Sequence, residues 1–174
     1  MKLVRWKRFT WDLSKLPTTP PSLSERYALR PAYAEEHEAV EKIILAAFRL
    51  DSEWSALFQS VPTWLKEQID TAFDRETAPA VVITHGLRVI AASLITTEVD
   101  AETHLLSGPC VSMEYRNRGL GTALLYGTLA QLKQAGMRQV HGVTKENIPA
   151  AKFIYPKFGA TDSEHEFAAL HART

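Results

Sequence analysis

The run Arg116-Asn117-Arg118-Gly119-Leu120-Gly121-Thr122 combines two arginines, two glycines and a hydroxyl at the start of a strongly periodic stretch. Leu120, Leu124, Leu125, Leu129 and Leu132 recur at helical spacing, which predicts a helix over 120–135. The apolar run Leu105 to Val111 precedes it and reads as a strand. A strand, a glycine turn and a helix start aim several main-chain N–H groups at one point. The helix dipole adds partial positive charge there, an arrangement suited to phosphate oxygens. Gly119 and Gly121 would let a ligand approach the backbone. Arg116 and Arg118 would add charge-assisted donors. The chemistry is pyrophosphate binding. The plain alternative is a tight strand-to-helix turn carrying surface arginines.

Two familiar phosphate loops are excluded. No Gly-Lys-Ser/Thr precedes the helix, so this is not a Walker A loop. Leu124 stands where a dinucleotide fingerprint needs its third glycine, and too little chain follows for a doubly wound nucleotide domain.

The stretch resembles the GNAT superfamily of N-acetyltransferases over roughly Leu105 to Gly159. The family's acetyl-CoA loop, Gln/Arg-x-x-Gly-x-Gly/Ala, is matched by Arg116, Gly119 and Gly121. The helix and strand that follow, then Asn147, Ala151, Tyr155 and Gly159, continue the pattern. The chain departs from it at Met113, where Pro is common, and at Ala160, where Phe is usual. The Asn147–Tyr155 interval, which contains Pro149, is one residue longer than the commonest spacing.

The resemblance implies a mixed α/β fold. Its sheet would be mostly antiparallel with helices on both faces, and a splayed central strand pair would form the coenzyme cleft. It implies acetyl-CoA as cosubstrate, no metal, and direct attack of an amine on the thioester. Cofactor contacts would come from Val111, Ser112, Met113, Arg116, Asn117, Arg118, Gly119, Leu120, Gly121, Thr122, Asn147 and Tyr155. Val111 would offer its N–H to the thioester oxygen, and Tyr155 would protonate the departing thiolate. A CoA-binding module without catalysis, or an acyltransferase for longer chains, fits the same residues. Asn147 also reads as a helix cap, and Tyr155 as a buried packing residue.

Amine acetylation has requirements of its own. A lysine-like amine has a pKa of about 10.4, so roughly one in a thousand is neutral near pH 7, a handicap of about 4–5 kcal/mol. The thioester oxygen needs a fixed donor as charge develops, and the thiolate needs a proton. The candidate base is His104, whose type titrates near neutrality. Glu98 and Glu102 lie near it in sequence, and Asp51 and Glu53 lie in the loop between the first two helices. Cys110 could suggest a covalent acetyl route, but a lone cysteine in an apolar strand reads as core.

The remaining chain must position these groups. Residues 1–25 read as an extension in which Trp6, Phe9, Trp11 and Leu13 alternate with polar residues, as in a half-buried strand. Such a strand would pack on the domain or on a second subunit, the latter making a homodimer. Pro17, Pro20 and Pro21 mark a linker, and residues 26–174 form the domain. A strand at Tyr27 to Arg30, helices near 35–49 and 63–73, and a hairpin of Ala80–Thr84 and Val89–Thr97 come next. After the 120–135 helix come a strand at Gln139–Thr144, a helix at Ala150–Phe158 and a strand at Glu166–His171. The order from Tyr27 is β, α, α, β, β, β, α, β, α, β. Gly108-Pro109 and Gly142 interrupt the two strands expected to splay.

The 174 residues are 45% hydrophobic, enough for one domain with a sizeable core. Twenty basic residues balance twenty acidic ones, so no polyanionic partner such as nucleic acid is expected. One cysteine forms no internal disulfide. No apolar run approaches membrane-span length, and no signal-peptide core follows Met1. A cytoplasmic protein is the expectation.

Overall fold

A computed structural model describes residues 5–50 and 61–166. Its elements are β1 (Trp6–Asp12), β2 (Tyr27–Pro31), α1 (His37–Arg49), α2 (Val61–Arg75), β3 (Ala80–His85) and β4 (Arg88–Leu94). They continue with β5 (Cys110–Val111), α3 (Leu120–Gln134), β6 (Gln139–Lys145), α4 (Pro149–Phe153) and β7 (Thr161–His165). From β2 to α4 this is the order expected from the sequence. The strands form two antiparallel sheets, β2-β3-β4-β5 and β6-β1-β7.

The first sheet is covered on both faces. Alternation along β3 sends Val81 and Ile83 to one core with Leu124, Leu125 and Leu129 of α3. Ala80 and Val82 go to a second core with Val40 and Ile44 of α1 and Leu65 and Ile69 of α2. This is the period-2 rule acting on a strand whose two faces are both buried. Glu76, just past α2, ties that helix to the chain leaving β4. Its carboxylate accepts from the Thr96 hydroxyl at 2.9 Å and from the Thr97 N–H at 2.9 Å and hydroxyl at 2.8 Å.

The first residues belong to the second sheet. β1 is its middle strand, with Thr10 opposite both His141 of β6 and Thr161 of β7. Phe9 and Trp11 share one face and are buried in the α3 core, while Trp6, two residues before Arg8, stands on the other. The linker then crosses α3: Leu13 and Leu16 are buried, and the Tyr126 hydroxyl donates to the Pro17 carbonyl.

Two elements differ from expectation. The strand read over Leu105–Val111 pairs with β4 only at Cys110 and Val111, beyond a single bridge between Leu105 and Ile95. Gly108 (φ +65°) takes the left-handed region, and Pro109 has no N–H to give. The helix read over Ala150–Phe158 stops at Phe153, and the Tyr155 N–H folds back to the Ala150 carbonyl. A strand not expected from the sequence, β7, is the last among the described residues, at Thr161–His165. The strand read at Glu166–His171 lies, but for Glu166, outside the described residues, as do Asp51 and Glu53.

Candidate active site

β5 and β6 are neighbours without a shared ladder. The 103–105 segment that leads toward β5 is bonded to β6: the His141 carbonyl accepts from the N–H groups of His104 (2.7 Å) and Leu105 (3.3 Å), and the Val143 N–H donates to the Thr103 hydroxyl at 3.1 Å. Beyond that junction the two strands part. The Ser112 N–H donates to the Ile90 carbonyl of β4 at 2.8 Å. Amides alternate in direction along an extended strand, so the Val111 N–H faces the gap.

Tyr155 lies between the two strands, against Gly108 and Gly142. It is buried, with its ring 5.3 Å from that of Phe9 and 5.9 Å from that of Trp11. Its hydroxyl lies beside Gly108, and a Cβ there would collide with it. A Cβ on Gly142 would meet the Tyr155 ring at 3.0 Å and the Trp11 ring at 3.1 Å. Both strand glycines thus make room for this tyrosine. Burial, with nearby Cys110 adding to it, pushes the phenol well above its ordinary value, so the hydroxyl stays protonated. Burial also pushes the Cys110 thiol up to about 12, which denies it the thiolate a covalent route requires.

The glycine loop closes the gap. After a single 3-10 turn at Met113–Tyr115, Asn117 (φ +62°) and Gly119 (φ +76°) both take the left-handed region. Gly119 is the N-cap of α3, and no side chain caps that helix. The first N–H groups of α3 therefore have no side-chain cap. Gly121 has another reason to be glycine: a Cβ there would meet Ile154 Cδ1 at 2.7 Å. That contact packs α3 on the turn after α4.

The arginines are partly committed. Arg118 donates to the Tyr27 hydroxyl (3.3 Å) and the Glu114 carbonyl (3.2 Å), and lies over the Tyr115 ring. Arg116 Nε donates to the Val111 carbonyl at 3.3 Å, holding the loop to β5. Lys157, missed in the sequence, brings its ammonium to the Thr122 hydroxyl at 3.2 Å, in the first turn of α3. Its place two residues after Tyr155 was the available signal. Ser112, Met113 and Leu120 line the same turn, with Leu120 buried. Asn147 is exposed, and the N-cap of α4 is Ile148 without a side-chain cap, so Asn147 is no helix cap.

His104 is buried at the junction. Its Nδ1 accepts the His141 N–H at 2.9 Å, so Nε2 carries the hydrogen and donates to the Glu98 carbonyl at 3.0 Å. Burial lowers its pKa. With both ring nitrogens engaged by main chain, it has none to offer an amine in this arrangement. Among the described residues no group of three or more His, Cys, Asp or Glu could hold a metal, and no helix is long and apolar enough to cross a membrane.

The Acetyltransferase (GNAT) family model matches residues 39–160. No curated protein matches the chain. Among solved structures, a GCN5-related N-acetyltransferase from Sphaerobacter thermophilus superposes with a TM-score of 0.63 at 17% identity, over 94% of this chain and 50% of its own. A GNAT-family acetyltransferase from Colwellia psychrerythraea gives 0.63 at 16% identity, over 93% and 54%. A tandem GNAT protein from the clavulanic acid biosynthesis pathway gives 0.61 at 13% identity, over 94% and 52%. The chain thus spans about half the length of these proteins, and the likeness is one of fold. With a family match covering most of its length and the fold to go with it, the chain belongs to the GNAT family of acetyltransferases.

Proposed function

We propose that the chain transfers the acetyl group of acetyl-CoA to a primary amine by direct attack. The observation that carries this reading is the gap between β5 and β6. The Val111 N–H faces it from β5, the Tyr155 ring packs against Gly142 of β6 with its hydroxyl beside Gly108, and the uncapped start of α3 closes it. The α3 N–H groups and the Lys157 ammonium would take the pyrophosphate, with Arg116 holding the loop in place. The pantetheine arm would lie in the gap.

The reaction is then short. The neutral amine nitrogen bonds to the thioester carbon, and the oxygen takes negative charge facing the Val111 N–H. The tetrahedral intermediate collapses, the C–S bond breaks, and the thiolate takes the Tyr155 proton. The surplus amine proton leaves to a base or water, and solvent returns a proton to Tyr155. His104 acts here as a positioning residue that joins β6 to the 104–105 segment.

Free-thiol release from acetyl-CoA over a panel of polyamines, aminoglycosides, amino acids and peptide N-termini tests the reading. Acceptor-dependent release is the expected result. Tight acetyl-CoA binding without release would leave a binding module. Preferential turnover of longer acyl-CoAs would change the donor.

A further inference from the structure

The face of β6-β1-β7 turned away from Tyr155 carries a different chemistry. Strand register places Arg8 of β1 opposite Val143 and Ser163, Thr10 opposite His141 and Thr161, and Trp6 opposite Lys145 and His165. Directly paired residues share a face. Thr10 Oγ1 and His141 Nδ1 share a 2.9 Å hydrogen bond, and the His104 ring stands 5.6 Å from that of His141. Glu102 lies 3.9 Å from His165.

Arg8 stands out on this face. Its Nε is buried and has no hydrogen-bond partner. No ion pair of Arg8 occurs among the described residues, whereas Lys7, one residue earlier and on the opposite face, has Asp162 at 3.0 Å. Arg8 as a whole is half-buried; a buried N–H donor left without an acceptor is unfavourable. Its planar fork suits a carboxylate. The surroundings favour an anion as well: burial first, then Arg8, His104 and His165, hold His141 below its ordinary pKa.

The face also adjoins the gap. His141 supplies the carbonyl of the junction, and the next residue, Gly142, lies under the Tyr155 and Trp11 rings. A molecule seated beside His141 would lie next to the junction of β6 with the 104–105 segment. β1 lies outside residues 39–160, the stretch that the family model matches.

We infer that this face binds the acceptor, and that Arg8 holds a carboxylate on it, so the acceptor class is an amine that also bears a carboxylate. The inference rests on the transfer reading above and narrows its acceptor. The guanidinium fork can hold a carboxylate by two parallel hydrogen bonds, and a phosphate is the competing anion that the test includes.

The test compares wild type, Arg8→Gln and Arg8→Lys, each checked for folding by near-UV circular dichroism. Thiol release is measured with amino acids, their carboxamides, and phosphoethanolamine as the phosphate arm. Wild type should favour acids over carboxamides by at least about 30-fold in kcat/KM, mainly through KM. Arg8→Gln should bring that ratio close to one, and Arg8→Lys should leave an intermediate value, with the KM for acetyl-CoA unchanged throughout. A wild-type ratio near one, a ratio retained in Arg8→Gln, or a preference for phosphoethanolamine overturns the inference. In parallel, formate is titrated while the His141 ring resonances are followed by NMR. If no acceptor releases thiol, the transfer reading fails and the titration decides this site alone. Saturable shifts in wild type that are lost in Arg8→Gln uphold the anion site, and their absence overturns it.

Discussion

The Trp11 indole N–H donates to the Lys157 carbonyl at 2.9 Å, while the ring of the same residue packs on Tyr155. One residue of the first strand thus fixes both the candidate acid and the backbone that carries the lysine at the start of α3. Trp11 is almost fully buried. Trp11→Ala should therefore cost about 3–5 kcal/mol, read as a fall in the denaturant midpoint. Trp11→Phe keeps a ring and loses the N–H, and should cost about 1–2 kcal/mol. Equal stability of all three proteins would show that β1 is not integral to the domain.

Gly121 offers a prediction in which a sign reverses. Its added Cβ would press on Ile154 Cδ1, so Gly121→Ala alone should destabilise by about 1 kcal/mol. Ile154→Val removes that methyl carbon. In the Ile154→Val background, Gly121→Ala should be neutral or stabilise by about 0.5 kcal/mol, because alanine suits a helix better. Thermal melts of the four proteins complete the cycle. Equal effects in both backgrounds would disprove the contact.

Cys110 should be chemically silent. Its thiol is buried and its pKa is pushed up to about 12, so almost none is thiolate at neutrality. Iodoacetamide at pH 7.5 should leave the native protein unlabelled, and Cys110→Ala should retain turnover within about threefold. Rapid native-state labelling accompanied by inactivation would restore the covalent route.

Acid should destabilise the fold through His104. Burial lowers its folded-state pKa, while the unfolded chain returns to an ordinary value of about 6.5. The unfolded state thus binds more protons below about pH 6.5, and stability falls as pH drops toward the folded value. One such group gives a limiting slope of about 1.4 kcal/mol per pH unit. His141 shifts in the same direction and steepens it. Urea midpoints at pH 7.5, 6.0 and 5.0 should decline in that order, and His104→Gln should flatten the decline. A profile unchanged by His104→Gln would place the titration elsewhere.

What the sequence disclosed and what it withheld follow one physical line. The α3 helix and the β3–β4 hairpin were readable because short-range periodicity determines which faces are buried. The glycine loop was readable because Gly119 needs a left-handed backbone, a local demand. The insertion of β1 between β6 and β7 was not readable, because it depends on pairings across more than 120 residues. Arg8 went unnoticed for that reason: period-2 alternation puts it with Trp6 and Thr10, but nothing local says what that face meets. His104 was read by residue type as a base, while its actual partners, the His141 N–H and the Glu98 carbonyl, become visible only when β6 is in place. The packing demand on Gly121 was hidden in the same way, because Ile154 lies 33 positions on.

Tyr155 gives the most direct test of the chemistry. Its hydroxyl stands in the gap beside Gly108, and burial keeps it protonated. An acid of high pKa is a reluctant donor in water. A thiolate forming beside it in a water-poor gap is also a stronger base, which narrows the mismatch. Tyr155→Phe retains the ring that packs on Phe9 and Trp11, so the melting temperature should shift little. The kcat should fall about 10²-fold, within the usual range for acid–base groups, while the Kd for acetyl-CoA stays within about twofold by calorimetry. Trp11→Phe should lower kcat in the wild-type background and add little in the Tyr155→Phe background, since its effect would pass through the missing hydroxyl. Full turnover by Tyr155→Phe, with chemistry shown to be rate-limiting, would make the tyrosine a packing residue and leave the thiolate to water or the α3 dipole.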